Sequence, residues 1–156
     1  MKGSFVMKKS PRPNSGFTLV EVLIVVVIMA ILAATIVPQF SNSTADAKKG
    51  SATFNLHTLR AQIELYKSQH GGTPPSLTLV ELTSSTNSAG TVGTGANFPY
   101  GPYIQAIPAN PYTNSATVSA AGATPPTATV AGAGWLYDAT TGKIWINDTT
   151  VPFAQQ

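Results

Sequence analysis

Glu21 is the one charge in the run FTLVEVLIVVVIMAILAATIV, residues 17–37. A carboxylate in such apolar surroundings is costly to keep, so something has to reward its presence. The other chemistry-bearing side chains form no catalytic constellation. The chain has no Cys, which excludes disulfides, thiolate metal sites and thiol nucleophiles. Its two histidines, His57 and His70, are too few for a three-histidine metal site. The six Asp/Glu are scattered and give no paired acid and base. No G-x-S-x-G, H-E-x-x-H or P-loop pattern occurs. No enzyme is expected, and an anchored periplasmic enzyme is the remote alternative.

The element that must position Glu21 is a helix. Twenty-one helical residues from Phe17 to Val37 span about 31 Å, close to the thickness of a bilayer core. Lys2, Lys8, Lys9 and Arg12 precede it, and this basic flank keeps the N-terminal side in the cytoplasm. The remainder is then exported. Charged residues make up only 10% of the 156 residues, well below the roughly 25% of soluble proteins. The pI near 9.3 belongs to the leader. Beyond residue 16, five Lys/Arg face six Asp/Glu, a formal net of −1. No basic face remains for nucleic acid. Residues 1–16 read as a basic leader; Met7 offers a second start, which would leave the ten residues Met7–Gly16.

The helix is expected to continue to about residue 70, a length of roughly 80 Å. Pro38 removes one i→i−4 hydrogen bond and is the expected kink. Past it, Ala52, Leu56, Leu59, Ile63, Tyr66 and His70 step by three and four, a single apolar stripe. Gly71 and Gly72 supply the stop. Residues 38–72 thus form the periplasmic half of the helix, and residues 73–156 a small head. Within the head, residues 77–82 read as a short helix or strand. Residues 83–97 form a Ser/Thr/Gly loop, and the small-residue stretch 113–134 reads either as disordered or as a variable surface loop. Residues 134–138 and 143–147 flank Ala139–Gly142 as a β-hairpin. An isolated hairpin is marginal, so one of its faces should lie on the helix stripe. The fold class is α+β: one long helix packed against a small antiparallel sheet.

Gly16-Phe17-Thr18-Leu19-Val20-Glu21 ahead of the apolar run resembles the processing site of type IV pilin-like proteins, which include type IV pilins and type II secretion pseudopilins. The resemblance covers residues 8–40 well. It implies that a membrane-embedded prepilin peptidase cuts between Gly16 and Phe17 and methylates the Phe17 amine. It further implies that Glu21 faces the amine of a neighbouring subunit in a filament, setting assembly register. Pro38 falls where that family carries a helix-perturbing proline. A Sec signal peptide or uncleaved anchor explains the residues less well. Ala33-Ala34-Thr35 is a poor A-x-A site, and an early charge has no role there.

Two shorter stretches are similar to G-type major pseudopilins. One is residues 66–74, where Tyr66 precedes Gly71, Gly72 and Pro74. The other is residues 101–114. The chain lacks the Asp/Gly-rich calcium loop of such proteins, since the head beyond residue 100 has only Asp138 and Asp148 as carboxylates. No cofactor is expected, with calcium held by backbone carbonyls as the alternative. Asp138 and Asp148 read as solvated turn or strand-end residues, and His57 and His70 as surface or capping residues. Trp135, Trp145, Tyr100 and Tyr103 read as core before sugar platform.

The resemblance implies a subunit of a type II secretion pseudopilus, held in the inner membrane by its lipid until assembled. Its partners would be other copies, other pseudopilins or pilins, a platform membrane protein and an assembly ATPase. A major or minor subunit of a surface type IV pilus is the rival.

Overall fold

A computed structural model describes residues 16–149, 152, 153 and 156. The expected leader, with its basic residues and both candidate starts, therefore lies almost wholly outside the described residues. The chain divides between Asn42 and Ser43 into two compact units.

Helix α1 runs Leu19–Gln69 and carries the apolar segment and the stripe. Over Leu19–Val37 its residues are apolar but for Glu21 and Thr35, and all are exposed. An 18-residue window there reaches a mean hydropathy of 3.0 with none of it buried. A helix greasy all round needs a cover from outside itself. Pro38 lies inside α1, which continues past it.

In the second unit α1 is one-sided. Ala52, Leu56, Leu59, Ile63 and Tyr66 are 0–3% exposed, while His57 faces solvent. Gly71 ends the helix with φ +63°, a left-handed conformation that glycine adopts without penalty. The Gly72 N–H then reaches back to the Lys67 carbonyl at 2.8 Å, which satisfies a terminal acceptor. Residues 77–82 resolve into a loop leading to the short helix α2, Val80–Thr83.

Three strands complete the head: β1 Val118–Ala120, β2 Trp135–Asp138 and β3 Lys143–Ile146, in the order β1-β2-β3. The hairpin β2–β3 is antiparallel, pairing Trp135 with Ile146 and Tyr137 with Ile144. Those four side chains share one face, and they form the core with the α1 stripe, Leu79 and Leu82. The sheet is mixed rather than purely antiparallel, because β1 pairs parallel to β2. Small residues in 113–134 hid β1. Its place is set instead by close backbone packing. A Cβ on Gly134 would stand 1.8 Å from the Ser115 carbonyl, so only glycine lets those chains pass.

The loop between β1 and β2 is pinned by Asn147, only 3% exposed. Its amide donates to the Val130 and Ala133 carbonyls at 2.6 and 2.7 Å and accepts from the Val130 N–H at 2.9 Å. Buried Tyr137 donates to the Pro75 carbonyl at 3.0 Å. Burial, followed by the nearby Glu81 and Asp138 charges, pushes its phenol pKa up.

His70 meets a carbonyl of the last helical turn, as a capping residue would, but the surface role expected for it is corrected. It is 6% exposed, with Nδ1 2.8 Å from the Tyr66 carbonyl and Nε2 2.9 Å from the Asn87 carbonyl. Its ring stacks on Tyr66 at 3.9 Å and meets Tyr100 edge-on at 5.2 Å. Being on the stripe, it was bound for the core; the polar loop 86–100 supplies the partners that make burial tolerable.

Candidate processing and assembly site

The residues singled out for chemistry, Gly16, Phe17 and Glu21, lie together at the start of the described residues. Gly16 stands in open space, with no heavy atom within 4 Å of where a Cβ would sit. Phe17 is 87% exposed. Neither belongs to α1, so the Gly16–Phe17 peptide bond lies just outside the helix.

Glu21 has a local partner that the reading of its charge did not include. Its Oε2 accepts from the Thr18 N–H at 2.7 Å and from the Thr18 hydroxyl at 2.8 Å. In return the Glu21 N–H donates to Thr18 Oγ1 at 3.2 Å. This reciprocal pair is a capping box. It satisfies N–H groups at the helix start that have no partner within the helix. The negative charge also sits where the helix dipole favours it. Thr18 is the functional residue that sequence reasoning missed. Its signal was present, since Thr18-Leu-Val-Glu21 ahead of an apolar run is the T-x-x-E pattern.

The box engages only Oε2. Oε1 takes no hydrogen bond from the described residues, so one oxygen caps while the other stays available. Phe17, Glu21, Val22, Val25 and Val26 line an open apolar depression of about 310 Å³ beside it. A donor seated there would meet a carboxylate in apolar surroundings.

Pro38 lies 17 residues further along the chain and takes no part in this group. Asp138 and Asp148 belong to the head. Asp138 Oδ2 accepts the hydroxyls of Thr124 and Thr141, and Oδ1 accepts the Thr140 N–H. Those bonds, Thr124's first, hold its pKa down at about 2. Among the described residues no three His, Asp or Glu gather where a metal could sit. Trp135 and Trp145 are core residues, 0% and 5% exposed, so neither offers a flat face to a sugar.

Comparison with known proteins gives two family matches. Residues 11–37 match the prokaryotic N-terminal methylation motif, and residues 39–140 match the type II secretion system protein G family. The chain is similar to the type II secretion system core protein G of Vibrio cholerae, at 32% identity over 108 residues, covering 68% of this chain and 70% of that protein. It is 30% identical over 101 residues to the protein of that name from Dickeya chrysanthemi, covering 65% of each, just under two thirds of the relative's length. A fimbrial protein of Neisseria meningitidis is 34% identical over 77 residues, 49% of this chain and 45% of that protein. No solved structure matches.

Proposed function

The chain belongs to the type II secretion system protein G family, and from that premise we propose that it is the structural subunit of a secretion pseudopilus. The observation that carries this reading is the extent of the family match. It runs through the head to residue 140, well past the N-terminal methylation motif at 11–37. The apolar half of α1 fits an inner-membrane anchor. With the leader on the cytoplasmic side, the head would stand in the periplasm.

The steps follow from the residues. A prepilin peptidase cuts after Gly16, which is exposed and lies outside the helix. The new Phe17 amine is then methylated. Glu21 Oε1, left open by the cap, accepts the Phe17 amine of the adjacent copy as helices pack. Hydrophobicity drives no association between helices already in lipid, so packing and this charge pairing must provide it. Lifting the helix out of the bilayer needs work from outside, the task of an assembly ATPase and a platform membrane protein. Other pseudopilins would complete the filament. No step calls for catalysis by this chain.

We propose likewise that the head needs no metal. Asp138, the carboxylate at the hairpin turn, has both oxygens taken by threonine hydroxyls and backbone N–H groups that would otherwise leave room for a cation. Unchanged thermal unfolding of the head on adding a chelator is the expected result, and a large drop would refute it.

Glu21→Gln tests the assembly role, because its amide oxygen can still accept from Thr18 while the charge is gone. The variant should be cut normally but yield few sheared filaments, with exported proteins held in the periplasm. Wild-type filament yield would refute the pairing. Gly16→Val should leave the full-length mass in the membrane. Surface fibres, with secretion intact in a deletion strain, would favour the pilus rival.

A further inference from the structure

In the second unit α1 lays Ala52, Leu56, Leu59 and Ile63 on the core. On the opposite side Ala47, Gly50, Phe54, Thr58, Ala61 and Leu65 step by three and four, and none of the six is buried. The outward side of a surface helix normally carries its charges. Here Asp46, Lys48, Lys49, Arg60, Glu64 and Lys67 all fall beside this face and leave it uncharged. Its two large side chains stand in water, Phe54 71% exposed and Leu65 45%. A phenyl ring held out this far forgoes most of the stabilisation that burying it would bring.

The same unit holds a hollow of about 310 Å³ where β1 and β2 end. Leu77, Ala120, Ala121, Ala123 and Tyr137 wall it, and Asp138 is its one charged lining residue. Leu77 is itself 39% exposed, an apolar wall with nothing against it on the open side. Phe54 is not part of this lining, so the exposed ring and the hollow can meet only between molecules. Charge agrees with such a meeting. From Asp46 to Lys67, α1 carries four cations, Lys48, Lys49, Arg60 and Lys67, against two acids, Asp46 and Glu64, while the hollow carries an acid. A knob and a socket at different places on one chain make a head-to-tail contact, and such contacts that do not close into a ring build helical filaments.

We propose that Phe54 of one copy seats in the hollow beside Leu77 of the next, so that the heads carry a subunit contact of their own. The proposal rests on the filament reading above and adds to it the surfaces that meet outside the apolar segment. The element is the same helix α1 that the filament reading already packs against neighbouring copies. Ala61 and Leu65 would extend the contact along the helix, and the small side chains of Ala120, Ala121 and Ala123 leave the ring room to enter. Phe54 supplies the anchor, a large side chain in a pocket with smaller contacts around it.

The test uses filaments sheared from cells that make the full chain with Thr58→Cys and Ala123→Cys together. Both changes are small and leave Phe54 in place, and the natural sequence has no Cys, so a short bismaleimide reports on this pair alone. A ladder of covalent multimers is expected from the double variant and none from either single variant. Phe54→Ala should be processed and folded, the latter read from tryptophan fluorescence, yet yield several-fold fewer filaments. Phe54→Lys should retain more filament than Phe54→Asp, because the socket's charge is Asp138. Filaments of the double variant without a ladder would overturn the proposal and leave the filament reading standing. So would wild-type yield from Phe54→Ala, a reversed order of the Lys and Asp variants, or cross-linked dimers from Thr58→Cys alone, which would mean that two α1 faces meet. Absence of filaments from the wild type would overturn both readings at once.

Discussion

Asn147 offers a sharp test of how the head holds its long crossover loop. Its side chain makes three hydrogen bonds in a site 3% exposed: two donated to the Val130 and Ala133 carbonyls and one accepted from the Val130 N–H. Replacing Asn147 with Ala removes all three and supplies no substitute. At about 1 kcal/mol net for each bond, the expected loss is roughly 3 kcal/mol. With a urea slope of about 2 kcal/mol/M, the midpoint should fall by about 1.5 M. Unfolding of the full chain in nonionic detergent, followed by tryptophan fluorescence, measures this directly, since Trp135 and Trp145 both lie in the sheet. Asn147→Asp sharpens the test. Two carbonyls face the amide nitrogen, so an oxygen there finds no donor and brings a charge into a buried site. The Asp variant should therefore be less stable than the Ala variant at neutral pH. The reasoning fails if Asp is the better tolerated, or if Ala costs under about 0.5 kcal/mol.

Tyr137→Phe should cost about 1–2 kcal/mol in the same assay, because it leaves the buried Pro75 carbonyl without its donor. In a spectrophotometric titration of the wild type, this tyrosine should be the last to ionise, held back first by burial. The Asp138 carboxyl has its pKa lowered from 3.8 to about 2, so its contribution is fully present above the unfolded value and is lost as pH falls from about 4 to about 2. Asp138→Asn should flatten that acid limb and leave stability at neutral pH less steeply dependent on acidification. Gly134→Ala places a methyl against the Ser115 carbonyl and should cost clearly more than the roughly 1 kcal/mol typical of point mutants, with β1 amides losing exchange protection first.

Much of the architecture was legible because it rests on periodicity. The three-and-four spacing from Ala52 to His70 identified the buried face of α1, and alternation in residues 135–137 and 144–146 identified the face that meets it. What escaped rests on backbone. Strand β1 carries little β-propensity, and its parallel pairing depends on Gly134 passing under Ser115, which no pattern within a single segment encodes. Asn147 fits an Asn-x-Thr sequon on paper, yet its amide is wholly occupied inside the head. His70 belonged to the apolar stripe by spacing and to the surface by residue type, and spacing won because loop carbonyls were in reach. At the candidate site the charge of Glu21 drew attention from its short-range geometry. The T-x-x-E signature with Thr18 was as readable as the charge.

The position of that capping box relative to the proposed cut carries an argument of its own. The box uses the N–H and hydroxyl of Thr18 and the backbone and carboxylate of Glu21. A cut between Gly16 and Phe17 would remove none of these atoms. The helix start is therefore built in the precursor and should persist in the mature chain. Besides removing the leader, the cut would turn a neutral peptide nitrogen at Phe17 into an amine. A neighbouring Glu21 holding Oε1 in reserve then gains a partner it did not have before. On this reasoning processing acts as an electrostatic switch on a preformed helix, not as a folding trigger. Thr18→Ala separates the two ideas. It weakens the cap but keeps both charges, so it should loosen the first turn while filament yield falls less than in Glu21→Gln. Equal losses in the two variants would mean that the cap, and not the pairing, is what assembly reads.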